Sequence, residues 1–237
     1  MTESPEETGA VAALVATLRA ELAGAADPAR AEPMRAYMKS SMSFLGVRTP
    51  QQRVICRRVF DERPLTSSDE WRDAILTLWR EARYREERYA AIALSGARRY
   101  RAYQTLDALP LYEEMIVSGA WWDYVDGIAA QQLGALLAAY PAEMGAAMLA
   151  WSLDADMWKR RSAILCQLNQ RAATNEALLF ACITPNLADR EFFIRKAIGW
   201  ALRQHARTDP DAVRRYVATH EAQISALSRR EALKHLV

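Results

Sequence analysis

The sequence has 237 residues, 51% apolar and 25% charged, with nine glycines and nine prolines. That is enough apolar side chain for a sizeable core and too few turn residues for a loop-rich all-β protein, while the dominant Ala, Leu and Arg are good helix formers. Cys56, Cys166 and Cys182 are three, unpaired by count and without a C-x-x-C spacing, so a reducing, cytoplasmic setting fits best.

Residues 1–10 are polar and predict a frayed start, followed by a helix over Ala10–Gly24. The acidic N-terminus lacks a long apolar core, so no signal peptide is expected. Residues 1–31 read as an acidic segment with a capping helix, and residues 32–237 as one domain. The charge is uneven: residues 1–32 hold six acids and two bases, leaving 29 bases against 23 acids in 33–237, a net +6. A second helix is expected to begin near Glu32, with Pro33 in its first turn. After Pro50 come helical pairs, punctuated by Pro64, Pro110, Pro141, Pro185 and Pro210, near helix gaps where a missing N–H costs least. The most apolar stretch, 127–151, is broken by Gln131, Gln132, Pro141 and Glu143, so it reads as two buried helices rather than a membrane span. Asp209-Pro210 and Ser228 read as helix starts.

A small-residue/Ile pair recurs through the chain: Val54-Ile55, Ala91-Ile92, Gly127-Ile128, Ala163-Ile164, Ala197-Ile198 and, with Leu for Ile, Ala232-Leu233. Its spacings are 37, 36, 36, 34 and 35 residues. Periods of this size belong to stacked helical pairs, which build a long concave surface. The expectation is an all-α repeat superhelix of about six helical pairs; a non-repetitive bundle is the runner-up, disfavoured by the regular spacing.

With the recurring Ile as position zero, position +4 is apolar at Val59, Leu168, Leu202 and Val237, so zero faces the core. Positions −2 and +2 lie roughly 160° away at 3.6 residues per turn and are expected to face outward. The −2 set is Arg53, Ala90, Asp126, Ser162, Lys196 and Glu231; the +2 set is Arg57, Leu94, Ala130, Cys166, Trp200 and His235. Asp126 and Trp200 stand out, one a carboxylate among basic or neutral neighbours, the other a large aromatic where solvent is expected. Trp122 sits one turn before Asp126, and Arg161 flanks the same stripe. Together they suggest an aromatic-walled cleft with one acid and one guanidinium. Structural alternatives stand beside this. The −6 column of Trp122, Trp158, Phe192 and Leu227 suits packing residues. Trp200 suits a helix contact, and Asp126 with Arg161 suits an inter-repeat salt bridge.

Other chemistries find no support. His205, His220 and His235 form no metal-ligand motif, and no G-x-S-x-G, Walker or dinucleotide fingerprint occurs. No metal or cofactor is expected. The basic charge of residues 33–237 is compatible with a polyanionic partner without demanding one.

Several runs resemble the bacterial AlkD-type DNA glycosylases. They are Glu32-Pro33-Met34-Arg35-Ala36-Tyr37-Met38-Lys39, Phe44-Leu45-Gly46-Val47-Arg48-Thr49-Pro50 and Trp121-Trp122-Asp123-Tyr124-Val125-Asp126. Further along come Trp158-Lys159-Arg160-Arg161-Ser162-Ala163-Ile164-Leu165, Glu191-Phe192-Phe193-Ile194-Arg195-Lys196-Ala197-Ile198-Gly199-Trp200 and Leu227-Ser228-Arg229-Arg230-Glu231-Ala232. The matches are ordered and span roughly 32–237. The resemblance implies a HEAT-like superhelix with a concave DNA-binding face. It also implies excision of N3- and N7-alkylpurines from duplex DNA, by a monomer without obligatory protein partner or membrane. On matching positions it implies Asp126 as catalytic carboxylate, Trp122 and Trp200 as sugar-facing aromatics, and Arg161 as the supporting cation at a backbone phosphate. Tyr37, Lys39, Arg48, Arg160 and Lys196 would contact substrate or DNA. Met42, where relatives often carry Phe, and Arg48, where they can be neutral, depart from the pattern. A catalytically silent DNA binder and a helical-repeat protein scaffold are the alternatives.

Overall fold

The computed structural model describes residues 5–236; residues 1–4 of the expected frayed start, and Val237 of the repeat register, lie outside the described residues. Among the described residues are fourteen α-helices, short 3-10 turns, one π turn and no strand, only a lone bridge between Ser43 and Tyr84. The chain is all-α. No single helix among the described residues is long and apolar enough to cross a membrane. The chain divides into two compact units after Gln104.

The first unit holds α1 (Pro5–Gly24), α2 (Pro28–Met38), α3 (Thr49–Glu62), α4 (Ser68–Arg80) and α5 (Arg85–Ser95). Leu14, Leu18 and Leu22 recur at helical spacing and are fully buried, giving α1 the apolar stripe that packs on α3 and α4. α1 starts upstream of the expected Ala10, and α2 starts at Pro28 rather than near Glu32. The reason is local: the Asp27 carboxylate accepts the Ala29 N–H at 3.1 Å, and Pro28 takes the first helical slot, where its missing donor costs nothing. Pro33 therefore falls inside α2 and forgoes one helical hydrogen bond.

The loop from α2 to α3 is fastened by Glu86, which is fully buried on α5. Its carboxylate accepts the backbone N–H groups of Leu45 (3.0 Å), Gly46 (2.9 Å) and Val47 (3.2 Å). Three charge-assisted bonds replace the water that the buried charge gives up. Gly46 is required here, because its φ is +85° and a Cβ would overlap the Asp27 carbonyl oxygen.

The second unit holds α6 (Leu109–Gly119), α7 (Trp122–Ile128), α8 (Gly134–Ala139), α9 (Pro141–Trp151), α10 (Met157–Leu165), α11 (Glu176–Ile183), α12 (Phe192–His205), α13 (Pro210–Thr219) and α14 (Ala226–Ala232). The stretch 127–151 is helical on both sides of a break at Tyr140-Pro141, as its sequence predicts. Asp209 caps α13 as expected, accepting the Ala212 N–H at 2.8 Å. Ser228 does not start α14. Ser225 does, accepting the Ser228 N–H, while the buried Ser228 hydroxyl donates to the Arg195 carbonyl.

The recurring pair falls on α3, α5, α7, α10, α12 and the end of α14. Within the first unit α3 packs on α5; within the second α7, α10, α12 and α14 pack in succession. Position zero is buried at Ile55, Ile128, Ile164 and Ile198, and half-buried at Ile92 and Leu233. The outward assignment of −2 and +2 fails at Ala90, Ser162, Leu94 and Cys166, all buried. A helix flanked by a neighbour on each side and by its own repeat partner buries more than half its circumference, so a wheel position far from the core still meets protein. Val54 is exposed and a Cβ on Gly127 would meet nothing, so close approach does not explain the small residue at those two sites.

Candidate active site

The second unit builds the candidate site on α7, α10, α12 and α14. The chain turns into α7 at Ala120, whose φ of 42° puts a residue with a Cβ in the left-handed region. Trp121 is extended and leads into α7, where Trp122 and, one turn later, Asp126 are half-buried. Helical hydrogen bonding then widens through the π turn Ala129–Leu133 before resuming in α8. Side chains from beyond α10 satisfy carbonyls along this stretch: Asn169 donates to Ala130 at 3.0 Å and Gln170 to Gly134 at 2.7 Å.

Asp156 caps α10 by accepting the N–H groups of Trp158 (2.7 Å) and Lys159 (3.1 Å). One turn in stands Arg161, only 1% exposed. Its Nε donates to Asp126 Oδ1 at 2.7 Å and its Nη2 to Oδ2 at 2.8 Å, a bidentate pair. Its Nη1 donates to the Phe193 carbonyl. The guanidinium also lies 5.8 Å from the Phe193 ring centre and 5.5 Å from that of Trp200. The Phe193 ring in turn meets Trp121 edge-on at 5.7 Å and Trp158 at 5.1 Å. Arg161 thus ties α7, α10 and the start of α12 together. With 1% of the side chain exposed and three of its N–H groups on Asp126 and Phe193, Arg161 presents no face to solvent in this arrangement, where the resemblance implies a backbone phosphate contact.

Asp126 keeps 18% of its side chain exposed, and one bond to each oxygen leaves lone pairs free to accept from water or substrate. Burial pushes its carboxyl above the usual aspartate value of 3.8, against the opposing pull of the Arg161 hydrogen bonds and charge. Trp200 is half-buried, as an outward position requires. Lys196, one turn earlier on α12, places its Nζ 5.1 Å from the Trp200 ring centre and 3.0 Å from Glu231 Oε1 on α14. Glu231 Oε2 accepts from Arg203 at 2.7 Å.

The structure therefore brings together Asp126, Arg161, Lys196 and Trp200, with Trp122 on the helix of the carboxylate. The −6 column splits: Trp158 is core at 8% exposure, whereas Phe192 is 53% exposed. Arg160, expected at DNA, is turned inward, donating to the Asp154 and Ala155 carbonyls and to Asp189 at 3.0 Å. Lys196, also expected at DNA, is spent on Glu231 and Trp200. In the first unit Tyr37 is 78% exposed on α2. Lys39 is the exposed, left-handed residue that ends α2, and the exposed Arg48 precedes α3 without a side-chain cap. Met42 is half-buried.

Phe193 and Glu231 are site residues that register alone did not single out. Among the described residues no three His, Cys, Asp or Glu side chains group as a metal site. His205 pairs with Glu176 at 2.9 Å, and His220 bonds the Tyr216 carbonyl. Burial pushes the thiols of Cys56 and Cys182 up to about 12, which leaves them inert as nucleophiles. What remains is an oriented, partly desolvated carboxylate whose guanidinium partner lies against the Trp200 indole, suited to stabilising positive charge and holding a water.

Comparison with known proteins bears on this arrangement. The sequence model of a family described as "DNA alkylation repair enzyme" matches residues 18–236. No curated protein matches the chain. Among solved structures, a predicted DNA alkylation repair enzyme from Enterococcus faecalis is 29% identical, with a TM-score of 0.81 over 90% of this chain and 97% of that one.

Proposed function

The chain belongs to the family of DNA alkylation repair enzymes, and from that premise we propose that it is a glycosylase that hydrolyses the N-glycosidic bond of cationic alkylated purines in duplex DNA. The observation that carries this is the Asp126 carboxylate, held at both oxygens by a buried guanidinium yet still open to solvent. Alkylation at N3 or N7 makes the purine cationic, so it departs without protonation by an enzyme acid. Two tasks are left: stabilising the oxocarbenium-like sugar as the bond breaks, and orienting the attacking water. One carboxylate performs both. Arg161 acts through Asp126 as a positioning residue: the bidentate clamp fixes the plane of the carboxylate before substrate arrives. Trp122 and Trp200 wall the sugar. Tyr37, Lys39 and Arg48 are exposed and suited to DNA contact; Arg160 and Lys196 have protein partners, so their contribution is to shape the site. No lysine is positioned as a nucleophile in this scheme, so base release proceeds without a Schiff base or strand cleavage.

The experiment is free-base release from a duplex carrying N7-methylguanine, wild type beside Asp126→Asn. The substitution keeps shape and removes charge, and a loss of at least ~10²-fold is expected from deleting one preorganised electrostatic group. Near-normal release by the variant would sink the assignment. A second reading has one observation in its favour: the Asp126–Arg161 pair is complete without substrate and would serve a DNA binder that no longer excises. Salt-dependent duplex binding without base release by wild type would establish it.

A further inference from the structure

We propose that Glu231, on α14, is a charge-compensating residue of the excision site, neutralising the Lys196 ammonium held over Trp200 so that the site accepts a cationic substrate. The proposal rests on the glycosylase reading above and names a group that reading does not use.

Trp200 has two cations near its ring, Arg161 at 5.5 Å and Lys196 at 5.1 Å. Both draw on the negative π-face of the indole. A lesion that is itself cationic, and a sugar that becomes so, would enter a repulsive field if these charges stood alone. Neither does. Arg161 is matched by Asp126 at 2.7 Å and Lys196 by Glu231 at 3.0 Å. The indole thus sits between two ion-paired cations, the Glu231 carboxylate being shared between Lys196 and Arg203, and the Asp126 end is the one with a reaction to perform.

Glu231 is built in rather than a loose surface partner. Its second oxygen bonds Arg203 at 2.7 Å, and its side chain is 15% exposed. A Cβ on Gly199, next to Trp200, would fall 2.5 Å from Glu231 Cβ and 3.1 Å from the Ser228 carbonyl oxygen, so α14 approaches α12 as closely as a glycine allows. The Ser228 hydroxyl pins the same contact through the Arg195 carbonyl at 2.9 Å. The hydrogen bond from Lys196 holds the Glu231 carboxyl below its usual range, so it stays ionised wherever the enzyme works.

The test is single-turnover release of N7-methylguanine by two variants that shift the local charge in opposite directions. Glu231→Gln leaves Lys196 uncompensated and should slow release about tenfold, the scale of one unit charge acting over about 12 Å at an effective dielectric near 20. Its affinity for undamaged duplex should hold or rise, since that ligand is an anion. Lys196→Gln removes the cation while Glu231 keeps Arg203, and release should rise a few-fold while duplex affinity falls. A packing role alone would slow both variants. Slowing of both, or release by Glu231→Gln at the wild-type rate, overturns the proposal. Should Glu231→Gln not fold, the rise or fall in Lys196→Gln decides alone. Wild-type release that collapses in Asp126→Asn upholds the glycosylase reading whatever these variants do, and absence of wild-type release overturns both.

Discussion

Replacing Arg161 by methionine would remove a guanidinium that is 1% exposed while leaving the groups it satisfies in place. Asp126 would lose two charge-assisted hydrogen bonds, of 2.7 and 2.8 Å, and the Phe193 carbonyl would lose its donor. Breaking a buried pair on one side costs about 3–5 kcal/mol, because the remaining charge stays desolvated and unmatched. Against a domain stability of about 5–15 kcal/mol, that is a large share. The carboxylate has one escape, to take up a proton. Burial already raises its pKa in the wild type, and the opposing hydrogen bonds come from Arg161, so their loss raises it further. A carboxyl whose folded pKa exceeds its unfolded one favours the fold below the unfolded value and loses that contribution as pH rises through the folded value. The deficit of Arg161→Met should therefore be small in acid and grow toward neutrality, by about 1.4 kcal/mol for each unit of additional pKa elevation. Urea denaturation at pH 5 and pH 7 measures it. A deficit below about 1 kcal/mol at pH 7, or one equal at the two pH values, would refute the reasoning. Adding Asp126→Asn to Arg161→Met should recover at least about half of the loss, since no buried charge then remains.

The same burial sets the pH profile of excision. Because Asp126 must be ionised and its pKa is raised, the acidic limb of single-turnover release should lie above 3.8, and a limb at or below that value would contradict the burial argument. Gly199→Ala drives a methyl into Glu231 Cβ and the Ser228 carbonyl and should cost about 1–3 kcal/mol in chemical denaturation; an unchanged midpoint would mean α14 gives way freely. Ala120→Gly relieves a left-handed residue at φ 42° and should stabilise by up to about 1 kcal/mol, net of the backbone entropy glycine loses on folding. A fall in thermal midpoint would show that the turn before Trp121 is not strained.

The repeat period exposed more of the site than any single residue did. Asp126 and Arg161 are 35 positions apart, as are Lys196 and Glu231, and both couples bridge successive helices that carry the recurring pair, α7 to α10 and α12 to α14. One period of separation is therefore a signal for inter-repeat ion pairs. Asp126 carries a second signal, Trp122 one turn before it, whereas Glu231 has Leu227 there and nothing else in the sequence sets it apart. Phe193 is illegible for a different reason: its hydrogen bond with Arg161 is made by a backbone carbonyl, which every residue owns. The outward stripe failed at Ala90, Leu94, Ser162 and Cys166 because a helical wheel describes one helix on one flat core, not a helix with a neighbour on either side. The helix starts at Pro28 and Ser225 were decided by which side chain could reach a free N–H, a choice among neighbouring candidates that geometry alone resolves.

The Glu86 clasp has a consequence for motion. The amides of Leu45, Gly46 and Val47 lie in a loop without regular structure, where hydrogen exchange is ordinarily fast. All three donate to one fully buried carboxylate on α5. They cannot meet solvent one at a time, because freeing any of them weakens the solvation of a buried charge shared by the others. The loop should therefore exchange as a block, on the timescale of α5 rather than of the surface. Lys39 and Arg48 at its two ends, and Tyr37 just before it, are carried by a connection that opens only when a helix does.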